Sequence, residues 1–162
     1  MTNIIVNTAR FGEVSVDEER VIHFVEPILG FEKTRRYVIL DHSEDSPFKW
    51  LQSADDPELA FVVTNPKFFG IDYEFTLSDE TVTQLQLESV EDTVVLTIVN
   101  IPQEDPSKMT TNLLGPIVIN QKFCKAMQVV LHDTQYSTKT RLIPDDLLQQ
   151  QPAGSPSVQK GD

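Results

Sequence analysis

Cysteine occurs once in this 162-residue chain, at Cys124, so neither an internal disulfide nor a cysteine-rich zinc site is expected. Glycine is also sparse. Its six positions, 12, 30, 70, 115, 154 and 161, are too scattered for a phosphate-cradling loop. No G-x-S-x-G elbow and no H-E-x-x-H pair is present, and His23, His42 and His132 lie far apart. No run approaches the roughly 20 apolar residues that span a bilayer. The longest uncharged stretch, Met109 to Gln121, is broken by Thr110, Thr111, Asn112 and Gly115-Pro116. Met1 to Arg10 lacks a basic segment followed by an apolar one, so no secretory signal is expected and a cytoplasmic location is. These absences exclude disulfide scaffolds, helical membrane spans and the common hydrolase and nucleotide-binding signatures, and no metal or cofactor is expected.

Positive charge is scarce too. Thirteen Lys and Arg face twenty-five Asp and Glu, a formal net charge of −12. Nucleic-acid affinity comes mainly from Lys and Arg displacing counterions, so direct DNA or RNA binding is not expected, nor is docking on anionic lipid. A basic partner protein is attracted instead. The same charge disfavours self-association, and a monomer is expected.

What the chain does contain is a series of short apolar blocks. Ile4-Ile5-Val6, Val14 with Val16, Val21 to Phe24, Tyr37 to Leu40, Phe48 to Leu51, Ala60 to Thr64, Val94 to Ile101, Ile117 to Ile119 and Gln128 to His132 read as strands. Turn residues separate them, among them Pro27 with Gly30, Ser46-Pro47, Asp55-Asp56-Pro57, Asn65-Pro66 and Gly115-Pro116. Closely spaced short strands predict an all-β, closed or nearly closed barrel-like domain rather than βαβ units. One or two short helical pieces fit: Asp79 to Leu85, capped by Ser78 with acids in its first turn, and a turn at Phe31 to Arg35. After Ile143 the composition shifts to Pro, Gln, Gly and Ser. Residues 1–143 are therefore read as the domain and 144–162 as a flexible tail, with Leu147 and Leu148 available to fasten its first turn.

Two features stand out on the way to function. Between Lys67 and Lys108 there is no basic residue, while nine acids occur there: Asp72, Glu74, Asp79, Glu80, Glu88, Glu91, Asp92, Glu104 and Asp105. A solvated surface and a docking face for a cationic protein both fit this run. The stretch Phe68-Phe69-Gly70-Ile71-Asp72-Tyr73-Glu74-Phe75 places four rings in eight residues. A core strand is the usual fate of such a run, yet adjacent rings on a strand face opposite ways, which leaves one exposed beside carboxylates. Paired acids such as Asp55-Asp56 and Glu104-Asp105 sit beside turns, where solvated carboxylates are expected. Trp50 is read as core before ligand platform.

Six pieces in order and spacing carry a family resemblance. They are Phe24 to Phe31 (FVEPILGF), Ser46 to Ser53 (SPFKWLQS), Pro57 to Phe61 with Pro66, Asp72 to Phe75, Thr110 to Asn120 (TTNLLGPIVIN) and Gln128 to Leu131. Over residues 3 to 143 the chain resembles the flagellar assembly factor FliW family. That resemblance implies a small β-barrel-like fold without catalytic activity or cofactor. It also implies two mutually exclusive partners, flagellin and the RNA-binding translational repressor CsrA. On this expectation, export of flagellin frees the protein to capture the repressor and relieve repression of flagellin mRNA translation. Phe69, Asp72, Tyr73 and Glu74 are the residues expected to contact a partner. A carbohydrate- or ligand-binding β module using Trp50 and Tyr73, and a carboxylate-dependent hydrolase, are the competing readings.

Overall fold

Alternate side chains of the Val, Ile and Phe blocks have two different destinations, and this is what makes the blocks strands rather than helices. The computed structural model describes residues 2–41, 45–132 and 135–143; the expected tail at 144–162, with Leu147 and Leu148, and His42 lie outside them. In chain order the strands are β1 (Asn3–Thr8), β2 (Gly12–Asp17), β3 (Ile22–Phe24), β4 (Arg36–Asp41), β5 (Phe48–Ser53) and β6 (Ala60–Thr64). After helix α1 (Asp79–Leu85) come β7 (Thr93–Asn100), β8 (Thr110–Thr111), β9 (Ile117–Asn120), β10 (Lys125–Gln128) and β11 (Thr140–Arg141).

Seven of these strands close a barrel in the order β3-β4-β5-β6-β7-β9-β10. The ring is sealed by parallel pairing of β10 with β3, Lys125 opposite His23 and Ala126 opposite Phe24. Strand β7 serves three neighbours: Thr93 to Leu96 pair with β9 and Thr97 to Val99 with β6 in the ring, while Val99 and Asn100 also pair with β8. Every strand of the ring sends side chains inward, including Ile22, Tyr37, Leu51, Val63, Leu96, Ile117 and Ala126, all buried in one cluster. Ile28, from the bend after β3, is buried in the same cluster. Outside the wall, the β1–β2 hairpin lays Val6 and Val16 against Val38 and Leu40 of β4 in a second cluster. Strand β4 is therefore covered on both faces. Trp50 belongs to neither cluster: it is half-buried on the outer face, beneath the Arg10 guanidinium at 4.1 Å and edge-on to Phe11 at 6.2 Å.

Two strand expectations need correction. The block at Gln128 to His132 is not a strand; the ladder runs earlier, over Lys125–Gln128. Beyond Gln128 the opposite residue is Pro116, which accepts from the Val129 amide at 2.9 Å but has no N–H to return. The aromatic run at Phe68 to Phe75 is not a core strand either, as its course below shows. The Phe31 to Arg35 piece is a hydrogen-bonded turn without helix. No helix among the described residues is long and apolar enough to cross a membrane.

Inside the barrel, the Tyr37 hydroxyl is buried with no hydrogen-bond partner among the described residues. Burial, and then Asp56, push its pKa up to about 12. Unfolding lets this phenol ionise near 10, so its contribution to stability is complete below pH 10 and is lost as pH rises from there to about 12. Removing an unpartnered buried hydroxyl removes a desolvation cost of about 1–3 kcal/mol. Tyr37→Phe is thus expected to hold or raise stability at pH 7 and to flatten the alkaline fall. Denaturant melts at pH 8 and pH 11 check both; a clear loss at pH 8 would show that the hydroxyl has a partner.

Candidate protein-binding face

After β6 the chain must leave the sheet, and the sequence supplies the means. The Asn65 side chain accepts from the Lys67 amide at 3.0 Å and caps a 3-10 turn over Pro66–Phe69, with Pro at its start. Gly70 ends the turn at φ +76°, a left-handed conformation that suits glycine. From there Ile71 to Ser78 run across the barrel with inward and outward side chains in strict alternation: Asp72, Glu74 and Thr76 are exposed, Tyr73 is buried, and Phe75 and Leu77 are half-buried.

Tyr73 is the anchor of this run. It is 4% exposed, its hydroxyl donates to the Leu113 carbonyl, and its ring meets Tyr136 edge-on at 4.9 Å and Phe75 at 5.2 Å. Burial raises its pKa well above the ordinary phenol value. The Tyr136 hydroxyl in turn accepts from the Glu74 amide at 2.9 Å and donates to the Glu74 carbonyl at 2.7 Å.

Ser78 then caps α1, accepting from the Thr81 amide at 3.1 Å, and Asp79 and Glu80 stand in the first turn as read from the sequence. The helix is held to the barrel at its far end. The buried Asn120 amide donates to the Leu85 and Gln86 carbonyls at 2.8 and 3.0 Å, and its oxygen accepts from the Lys122 and Phe123 amides. Between the Tyr73–Leu77 run, the helix and the start of β7 lies a groove of about 750 Å³. Phe75, Leu77, Val82, Leu87, Val90 and Val95 give it an apolar lining; Glu74, Glu88 and Lys67 are its charged members. Glu88 is engaged by Lys122 at 2.8 Å, which raises the lysine pKa.

The expected contact residues thus separate. Asp72 and Glu74 are exposed side by side on the outer face of the run. Tyr73 is a support inside it. Phe69 is half-buried against Phe48 at 5.6 Å, and the exposed ring of the pair is Phe68, 67% accessible. Strand logic correctly left one ring exposed, but a 3-10 turn decides which. Sequence reasoning also missed Val90, 89% exposed on the groove margin, because an isolated valine between acids carries no pattern.

The acid run is mixed in its roles: Asp79 and Glu80, and Glu91 and Asp92, occupy first turns, and Asp105 accepts from the amide and hydroxyl of Ser107, which lowers its pKa. Among the described residues no three His, Cys, Asp or Glu side chains gather as a metal site. With Trp50 beneath Arg10 and Tyr73 buried, the two rings do not offer the stacking platforms a carbohydrate module needs.

The described residues form a closed seven-stranded β-barrel with one short helix and an apolar groove edged by carboxylates. The comparisons with known proteins make the assignment particular. The family model described as FliW protein matches residues 5–142. The flagellar assembly factor FliW of Magnetococcus marinus is 40% identical over 145 residues, covering 90% of this chain and 88% of the relative. That of Bacillus subtilis is 43% identical over 136 residues, covering 84% and 94%. A crystal structure of the flagellar assembly factor FliW superposes with a TM-score of 0.80 at 33% identity, over 88% of this chain and 99% of that one. The chain belongs to the FliW family.

Proposed function

We propose that this chain is a non-enzymatic, cytoplasmic flagellar assembly factor that works by partner switching. It binds flagellin and, when freed, binds the repressor CsrA and relieves repression of flagellin mRNA translation. The observation that carries this reading is the exposed Asp72 and Glu74 pair on a run whose residues Tyr73 to Leu77 line an apolar groove, within a stretch that holds no basic residue from Phe68 to Ser107. An RNA-binding repressor carries basic surface, and carboxylates next to apolar area suit a partner that is cationic at its rim and apolar at its centre. The relatives' shared description as flagellar assembly factors supports the same reading over a hydrolase or a carbohydrate module.

The test is titration of the purified chain with CsrA and with flagellin, separately and in competition. One-to-one binding of each, and displacement of one by the other, is the expected result; failure to bind either overturns the proposal. Association with the repressor is further expected to slow about tenfold between low and physiological salt, as steering by opposite charge requires. Stopped-flow measurement checks this, and a rate flat across that range would remove the acidic face from the encounter.

A further inference from the structure

Residues 71–78 have the side-chain alternation of a strand and no ladder among the described residues. The Glu74 N–H and C=O both engage the Tyr136 hydroxyl, as one extended residue presents both groups to one side. In extended backbone the neighbours Tyr73 and Phe75, and Leu77 beyond them, present theirs to the opposite side. None of these three makes a backbone hydrogen bond to any described residue, although Tyr73 is buried and Phe75 and Leu77 half-buried. A row of unspent donors and acceptors on an extended run is a template for another strand. The groove lined by Tyr73, Phe75 and Leu77 on one side and Leu87, Val90 and Val95 on the other adjoins this run and has room for the alternate side chains of an added strand.

We propose that residues 72–77 are a pairing edge onto which an extended segment of a partner protein adds as a strand. The segment is apolar at the positions that enter the groove and carries Lys or Arg at those that lie beside Asp72 and Glu74. This deepens the reading above and rests on it for the location of the face. Charge selects the occupant: a second copy would bring its own Asp72 and Glu74 onto the same surface and a further net charge of −12 with them, whereas a cationic strand gains opposite-charge pairs. The outward carboxylates therefore guard the edge against self-pairing while leaving it open to a basic partner. Main-chain bonds supply affinity in this mode, and the groove supplies selectivity.

Amide hydrogen exchange on the full chain tests this, with a synthetic peptide alternating valine and lysine as probe and the same peptide N-methylated along one edge as control. The expected result is periodic: exchange at Phe75 and Leu77 slows about tenfold or more with the probe, Thr76 between them does not, and the N-methylated peptide has no effect. Repeating the measurement with purified flagellin and CsrA separates this inference from the function proposed above. A partner that binds without slowing Phe75 and Leu77, or that slows all three amides alike, overturns strand pairing and leaves the partner assignment standing. The alternating pattern with the peptide, but no binding of either protein, keeps the pairing edge and overturns the partner assignment. No slowing with the peptide or with either protein overturns the pairing edge. Slowing already present in the free chain and lost on truncation after Ile143 would give the edge to the chain's own C-terminal residues, and also overturns it.

Discussion

Asn120→Ala is expected to destabilise the protein by about 2–4 kcal/mol, the cost of losing four hydrogen bonds to main-chain groups, the one to the Leu85 carbonyl fully buried. The side chain is 1% exposed and serves two purposes at once. Its amide closes the C-terminal carbonyls of α1 at Leu85 and Gln86, and its oxygen receives the amides that turn the chain from β9 towards β10. The Leu85 carbonyl, buried at the helix end, has no water to replace the donor it would lose. Asn120→Asp separates the two purposes, since a carboxylate keeps the acceptor and loses the donors. Urea unfolding of both variants is the measurement; the aspartate variant is expected to remain destabilised, with α1 loosened. Wild-type stability in both would mean that α1 stays docked through Leu85 alone.

The double substitution Asp72→Ala with Glu74→Ala is expected to weaken partner binding about thirtyfold, the equivalent of roughly 2 kcal/mol. Folding should change by less than about 0.5 kcal/mol, because both side chains are exposed and neither carboxylate makes a hydrogen bond among the described residues. The gap between the two numbers makes the test clean. Tyr73→Ala is a poorer probe: it removes a buried ring and the bond to Leu113, and an unfolded segment would abolish binding trivially. Calorimetric titration of the double variant with flagellin and with CsrA, after a normal melt, gives the answer. Wild-type affinity for both removes Asp72 and Glu74 from the site. Loss for one alone means the partners use different faces, so that any exclusion between them is steric or conformational.

The barrel was legible where the period of the sequence had a single cause. Ala60 to Thr64 and Ile117 to Ile119 form strands in place, because β-branched runs between turn signals have little alternative. Ser78 with its two acids marked α1 equally well, since capping is a local matter. Ring closure was not legible in this way: nothing in Ile22 to Phe24 or in Lys125 to Gln128 marks them as neighbours. The candidate site was half legible. Charge marks Asp72 and Glu74, which the fold leaves exposed, but the aromatic run around them reads as a strand whose ladder the described residues do not contain. Strand geometry says only that one of two adjacent rings turns out, and does not decide between Phe68 and Phe69. Asn65, Pro66 and Gly70, which build a 3-10 turn instead, send out Phe68.

The parallel seam between β3 and β10 has a consequence for how the chain comes into being. Its two halves lie about a hundred residues apart, near opposite ends of the domain, and the ring has no closed form without both. During synthesis at roughly 5–20 residues per second, β3 waits several seconds before β10 leaves the ribosome, and until then the β3–β6 meander has open edges and an uncovered apolar face. Folding is thereby pushed towards the end of translation, and pairing across so long a loop places it among the slower topologies, in milliseconds to seconds. The abundance of carboxylates would help to keep the half-made sheet apart from its copies on neighbouring ribosomes, since each emerging chain repels the next.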